Sequence, residues 1–570
     1  MKLAKLIKMA AGEAPADLLL KNARIVNVFS GDIQTADIAI ADSLIAGIGT
    51  YAAETPIDLE GQYVAPGFID AHMHLESAMT SITEFARTVL PRGTTAIIAD
   101  PHEIANVLGP EGIRYMIQSS LQQPMTVRFT LPSCVPATHM ETAGAAFGVE
   151  EMNAFWGEEQ IVALAEMMNF PGVVAGIPEV LEKIEAARRR GYTVDGHAPG
   201  LSGKALNAYS AAGITSDHEC TTAAEAREKL ALGMHIMIRE GTCAQNLEDL
   251  LAVVNDQTWP RMMWCTDDRH PQDLLADGHM DAVINKAIKL GLDPIRAIQM
   301  GTINPANYFG LKQHGAIAPG RRADLVVFSD LSDLKIDTVY VGGRLVAERG
   351  AMHADIQRPR PVSVPPAFQV EKSAIHFDIR AQSQQIRVIQ VVADQLITRQ
   401  KIVNAPIQDG LAVSDPSRDL LKIAVIERHQ STGNIGKGFV SGMGLQKGAL
   451  ASSVAHDSHN IIVVGTNDAD MDRAVSEIIE MKGGLAAVAG DEWKVTLPLP
   501  IAGLMSERPV EEVSRQLDAL IEISQQWGAR LKDPFMALSF LALPVIPDLK
   551  ITDLGLVDVN RFELVPLFVS

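Results

Sequence analysis

From residue 67 onward a short apolar run, a loop and an amphipathic segment succeed one another eight times, and no other property of the chain restricts its fold as strongly. The apolar runs cover residues 67–71, 94–99, 126–131, 161–164, 193–195, 214–216, 235–238 and 262–265 and read as strands. Intervening segments such as 82–90, 178–190, 223–232 and 281–290 carry apolar residues at helical spacing, several closed by glycine at the C-cap position. This alternation predicts a closed (β/α)8 barrel whose active site lies at the carboxyl ends of the strands.

At 570 residues the chain is too long for one core, so further units must flank the barrel. Short β segments at 18–20, 23–29, 36–40 and 43–48 precede it, and the same style resumes at 323–328 and 339–346. The expected organisation is a small β-sandwich built from residues 1–64 and 314–357 around a barrel at 65–313. The run Arg358-Pro359-Arg360-Pro361-Val362-Ser363-Val364-Pro365-Pro366 reads as a semi-rigid linker over 358–367. Residues 368–570 mix strands (421–426, 460–464, 485–489) with helices (468–481, 509–527), giving a C-terminal α+β domain within an α/β protein.

With 69 acidic against 49 basic residues, the formal charge of −20 disfavours nucleic acid or an anionic membrane as partner and suits a small neutral or cationic substrate. Lysines interrupt the apolar residues at the N-terminus, no run is long enough to span a bilayer, and the four cysteines form no C-x-x-C pair. A cytoplasmic protein is expected.

The strand ends carry the chemistry. The first apolar run leads into His72-Met73-His74, whose alternation puts both imidazoles on one side of the strand. The fourth ends near Glu166, the fifth at His197, the sixth at His218 and the eighth at Asp267-Asp268. Any one of these has an ordinary reading as a loop residue, but six at one rim do not. Four imidazoles and two carboxylates suffice for two divalent metals sharing a hydroxide, a nucleophile at neutral pH. Mn²⁺, Fe²⁺ and Zn²⁺ all suit such ligands, with Mn²⁺ or Fe²⁺ placed first.

These strand ends, with Asn304-Pro305-Ala306 and the run from Gly315 to Leu325, resemble the amidohydrolase superfamily. The motifs Asp100-Pro101-His102-Glu103, Ala165-Glu166-Met167-Met168-Asn169, Cys265-Thr266-Asp267-Asp268-Arg269-His270 and Ser453-Val454-Ala455-His456-Asp457-Ser458-His459-Asn460 extend the resemblance, over nearly the whole chain, to the bacterial adenine deaminases. The resemblance implies that His72 and His74 bind one metal and His197 and His218 another, that Glu166 bridges them, and that Asp267 holds the first metal and shuttles protons. The implied reaction is hydrolysis of adenine to hypoxanthine and ammonia, as in purine salvage. Many members of the superfamily bridge their metals through a carboxylated lysine on the fourth strand, and residues 161–168 contain no lysine. Hydrolysis of a cyclic amide or of another aminopurine is the competing enzymatic reading, and a metal-free scaffold is the non-enzymatic one.

Weaker signals remain. His102 and Glu103 after the second strand and Glu240 after the seventh are candidate contacts to the purine edge, with His102 also a catalytic candidate; the competing reading is loop-stabilising salt bridges. His456, Asp457 and His459 read as a second metal site, an element over the barrel mouth, or a polar lead-in to a strand. His270 and His279 read as structural. A homo-oligomer, in the first instance a homodimer, is compatible with the sequence.

Overall fold

The computed structural model describes residues 3–393 and 395–569. Eight parallel strands form the barrel: Phe68–Met73, Thr94–Ala99, Thr126–Leu131, Ile161–Met167, Thr193–Gly196, Ser216–Asp217, His235–Arg239 and Met262–Cys265. The first five pair in sequence order and so do the last three. Two seams close the ring. Thr215 N–H donates to Val194 O (3.0 Å), and at the other seam Asp267 N–H donates to His72 O (3.0 Å) while His74 N–H donates to Asp267 O (3.1 Å). Ile69, Ala71, Ile98, Ala163, Met237 and Met263 fill the barrel interior, and Phe309 and Leu311 complete this inner core. A larger apolar layer lies outside, between strands and helices.

Two irregularities in the pairing aim the strand ends. Asp70 lies opposite Ile97, but Met73 lies opposite Ala99, so three steps on the first strand match two on the second. Ile69 and Ala71 face the interior whereas Met73 packs in the outer layer. The bulge therefore reverses the alternation and turns His72 and His74 inward. The fourth strand does the same: Leu164 and Met167 pair with Val194 and Gly196, both pack outward, and Ala163 packs inward. That shift gives Glu166 its inward direction.

The two flanks meet in one sheet, where strand Tyr63–Pro66 pairs with both Ala16–Asn27 and Leu325–Phe328. Among the described residues the flanking strands form one hydrogen-bonded sheet of nine rather than two separate layers, because Ala16–Asn27 pairs on one side with Asp32–Ala41 and on the other first with Ala53–Asp58 and then with Tyr63–Pro66.

In the C-terminal region a second sheet, also of nine strands among the described residues, has a helix on each face. Helix Asp468–Met481 covers Ala424, Ile426, Ala451 and Val463, and helix Val510–Gln526 covers the alternate residues Ile423, Val425, Leu450 and Val464. Residues 358–367 have no regular secondary structure. They are not a free spacer: Arg358 pairs with the buried Glu84 (3.1 Å), and Val362, Val364 and Ala367 lie against the barrel's outer core. The C-terminal region is docked on the barrel. Ser506 exchanges backbone hydrogen bonds with Met79 and Ser81 (3.0 and 2.8 Å), Ile501, Leu504 and Met505 join the outer core, and Thr552 Oγ1 donates to Met140 O (2.6 Å).

Candidate active site

His72, His74, Glu166, His197, His218 and Asp267 converge at the carboxyl end of the barrel. His74 Nε2 lies 3.1 Å from Asp267 Oδ1 and His72 Nε2 3.6 Å from the same oxygen. Across the pocket, Glu166 Oε2 is 2.6 Å from His197 Nδ1 and 3.1 Å from His218 Nε2, while its other oxygen, Oε1, is 3.6 Å from His74 Nε2. One carboxylate thus divides its two oxygens between two groups of histidines. The rings of His72 and His218 stack with centroids 4.1 Å apart, which joins the groups directly.

The surroundings fix the direction of these atoms and the charge they carry. His74 Nδ1 faces the carbonyl oxygen of Asp100 (3.2 Å), which can only accept, so Nδ1 carries a proton and Nε2 is the atom turned toward the carboxylates. Against burial, which would lower it, Asp267, Asp268 and Glu166 hold this imidazole well above its ordinary value. Burial, reinforced by the neighbouring His72, lowers His218 to about 4 and keeps that imidazole neutral. Burial alone would raise Glu166 and Asp267. His197 and His218 instead hold Glu166 well below the usual carboxylate range, and His72, His74 and Arg239 do so for Asp267. His72 Nε2 is sealed from solvent without a hydrogen-bond partner. Imidazole nitrogens and two ionised carboxylates converging in a buried pocket, one nitrogen among them without a partner, are what a divalent cation requires, so the residues fit one.

Around this cluster a further layer fixes positions. Arg239 reaches Asp267 Oδ2 at 2.8 Å and also pairs with Glu219. Asp70 accepts from the backbone N–H groups of His72 and Thr266 (both 3.2 Å) and meets His279 Nε2 at 3.1 Å, which gives His279 the structural role expected of it. Asp267 adopts a left-handed backbone (φ 57°), a conformation that aspartate tolerates better than most residues, at the point where its main chain closes the barrel.

The three residues expected at the purine edge fare differently. His102 sits in the cluster, with Nδ1 3.2 Å from Asp100 Oδ2 and 3.5 Å from Glu166 Oε1. Glu103 has both oxygens engaged by the C-terminal region: His456 Nδ1 lies 2.6 Å from Oε1, and His459 Nε2 contacts Oε2. Glu240 is directed away, accepting from Leu247 N–H (2.9 Å) and Lys286 Nζ (2.8 Å). Strand alternation explains this, because Arg239 takes the inward direction and its neighbour the other. His270 pairs with Asp533 (3.5 Å) across the contact between barrel and C-terminal region. Sequence reasoning gave no role to Asp100 or Glu219, although the same strand-end rule reaches both: Asp100 directly follows the second strand, and Glu219 follows His218.

Comparison with known proteins bears on this arrangement. Residues 63–346 match the model of the amidohydrolase family, and residues 395–563 match that of the adenine deaminase C-terminal domain. Relatives named adenine deaminase include proteins from Desulfatibacillum aliphaticivorans, 54% identical over 99% of both chains, and Dehalococcoides mccartyi strain 195, 51% identical over 99% of both. A third, from Methanothrix thermoacetophila, is 48% identical over the full length of each. With the barrel and the C-terminal region both matched, and relatives of this identity covering the full chain, the chain belongs to the adenine deaminase family of amidohydrolases.

Proposed function

We infer that the chain hydrolyses adenine to hypoxanthine and ammonia with the help of two divalent metal ions, Mn²⁺ or Fe²⁺ in the first instance and Zn²⁺ as an alternative. The observation that carries this reading is the divided carboxylate of Glu166, with one oxygen toward His74 and the other toward His197 and His218. His72, His74 and Asp267 would hold one ion, His197 and His218 the other, and Glu166 would bridge. Such a pair, when bound, supplies Lewis acidity and lowers the pKa of a water so that it can attack at neutral pH.

The chain's own groups handle the protons. Asp267, ionised and steadied by Arg239, accepts a proton from the attacking water and returns it to the departing amine. His102, held against Asp100, is placed to donate to the ring nitrogen that gains charge as oxygen adds to C6. The water oxygen forms the new bond to C6, the C6–N bond breaks, and the two water protons leave on ammonia and on the purine ring.

The substrate is expected to be the free base. Arg239, the basic residue at the rim, is committed to Asp267 and Glu219, which leaves it unavailable to a phosphate. Steady-state ammonia release should therefore be efficient with adenine, poor with adenosine and absent with AMP; turnover of AMP as fast as adenine would overturn the assignment. Glu240→Gln should leave the kinetics with adenine nearly unchanged and lower stability by about 0.5–1 kcal/mol through loss of the pair with Lys286. A large rise in KM in that variant would return Glu240 to the purine edge.

A further inference from the structure

Residues 456–459 of the C-terminal region reach the barrel mouth and grip Glu103 from both sides. The hydrogen bonding shows what kind of contact this is. His459 Nδ1 accepts the backbone N–H of Ala455 (3.2 Å), so the proton of the neutral ring sits on Nε2 and is donated to Glu103. A nitrogen carrying that proton has no lone pair for a cation. The trio is therefore a hydrogen-bonded clamp rather than a further metal site, and its effect is to hold the residue between the two histidines in place.

That residue is Asp457. It is 3% exposed, and its Oδ2 is sealed from solvent without a hydrogen-bond partner. Burial disfavours its charge most; His102 and His456 favour that charge from a distance, Glu103 and Glu166 oppose it, and Glu141 faces it from the loop after the third strand. Glu141 offers no countercharge, because burial and Asp457 itself raise its carboxyl well above the usual range. An unpaired buried carboxylate is costly to the fold, and its persistence calls for a partner that is not part of the chain.

Adenine supplies one. With C6 at the histidine cluster and the exocyclic amine at Asp267, a single donor remains on the base, the N–H of its five-membered ring; its other ring nitrogens accept. An ionised carboxylate only accepts, so the two match. Burial raises Asp457 to about 6, which leaves it predominantly ionised at neutral pH. In a nucleoside N9 carries a sugar instead of hydrogen, and this donor is lost. We propose that Asp457 accepts the hydrogen bond from the imidazole-ring N–H of the bound base, and that through it the C-terminal region selects free adenine over N9-substituted purines. The inference rests on the adenine-hydrolysing reading given above.

The test uses the full-length, Mn²⁺-loaded enzyme and its Asp457→Ala and Asp457→Asn variants, with adenine and 9-methyladenine as substrates and hypoxanthine as a binding probe. Loss of a charge-assisted hydrogen bond should raise KM for adenine and weaken hypoxanthine binding about 10–100-fold in Asp457→Ala, with kcat altered less. The preference for adenine over 9-methyladenine should fall by a similar factor. Asp457→Asn, which keeps an accepting oxygen, should lie between. Neither variant should melt below the parent, and Asp457→Asn should melt higher. That gain should be full above pH 6, where the buried carboxylate is charged, and should vanish below about 4, where it is protonated in both folded and unfolded chains. Unchanged KM and unchanged discrimination in Asp457→Ala would overturn the proposal alone, as would lower melting in both variants with the preference intact. Failure of the parent enzyme to release ammonia from adenine would overturn the functional reading and this inference with it.

Discussion

Asp267→Asn is expected to lower turnover of adenine by about 10²–10⁴-fold, the range for loss of a general acid-base group. The geometry makes the substitution a demanding test. Asp267 turns Oδ1 toward His74 and His72 and Oδ2 toward Arg239, so both oxygens are needed as acceptors. An asparagine that keeps its oxygen on Arg239 turns toward His74 and His72 an NH₂ that can neither accept a proton nor hold a cation, and an amide cannot carry a proton from water to amine. Turnover should be measured beside metal content, since the same carboxylate is a proposed ligand. A fully loaded Asp267→Asn protein with near parental kcat would exclude the shuttle.

Glu166→Ala should produce the second large effect, loss of at least one metal per chain together with most of the activity. Its carboxylate is the group that faces both sets of histidines, and those sets come from strand ends on different parts of the ring. Without it His197 and His218 retain only each other and the more distant Glu219 (3.9 and 3.8 Å), a weak set for a divalent ion. Elemental analysis decides the matter, and two tightly held metals in Glu166→Ala would place the bridge elsewhere.

The strands and their order were legible because a buried strand in a parallel barrel has to be apolar along its length, and the convergence of the candidate ligands followed from the rule that such barrels work at strand ends. The direction of individual side chains was less so. Simple alternation puts His72 and His74 on the same side, but facing opposite to Ile69 and Ala71; the bulge before Met73 reconciles the two, and bulges leave no composition signature there. Glu240 shows the limit in miniature, as one step along the strand separates an arginine on the reaction centre from a glutamate on Lys286. The engagement of Glu103 by His456 and His459 joins positions more than 350 residues apart and depends on how the C-terminal region docks, for which no local pattern is a guide.

That long-range clamp also sets an order of events during synthesis. Chains elongate at about 5–20 residues per second, so roughly 18–70 seconds separate the emergence of Glu103 from that of the histidines that grip it. The eighth barrel strand ends at Cys265, and the proposed ligand set is complete in sequence at Asp267, long before residue 456. For the 189 residues between Asp267 and His456 (456 − 267), about 9–38 seconds at that rate, a nascent barrel would present these side chains uncovered to the metal pool of the cell. Since histidine and carboxylate ligands take several divalent ions, the one that is plentiful while the ribosome is still translating has the first opportunity to occupy the centre before the C-terminal region closes over it.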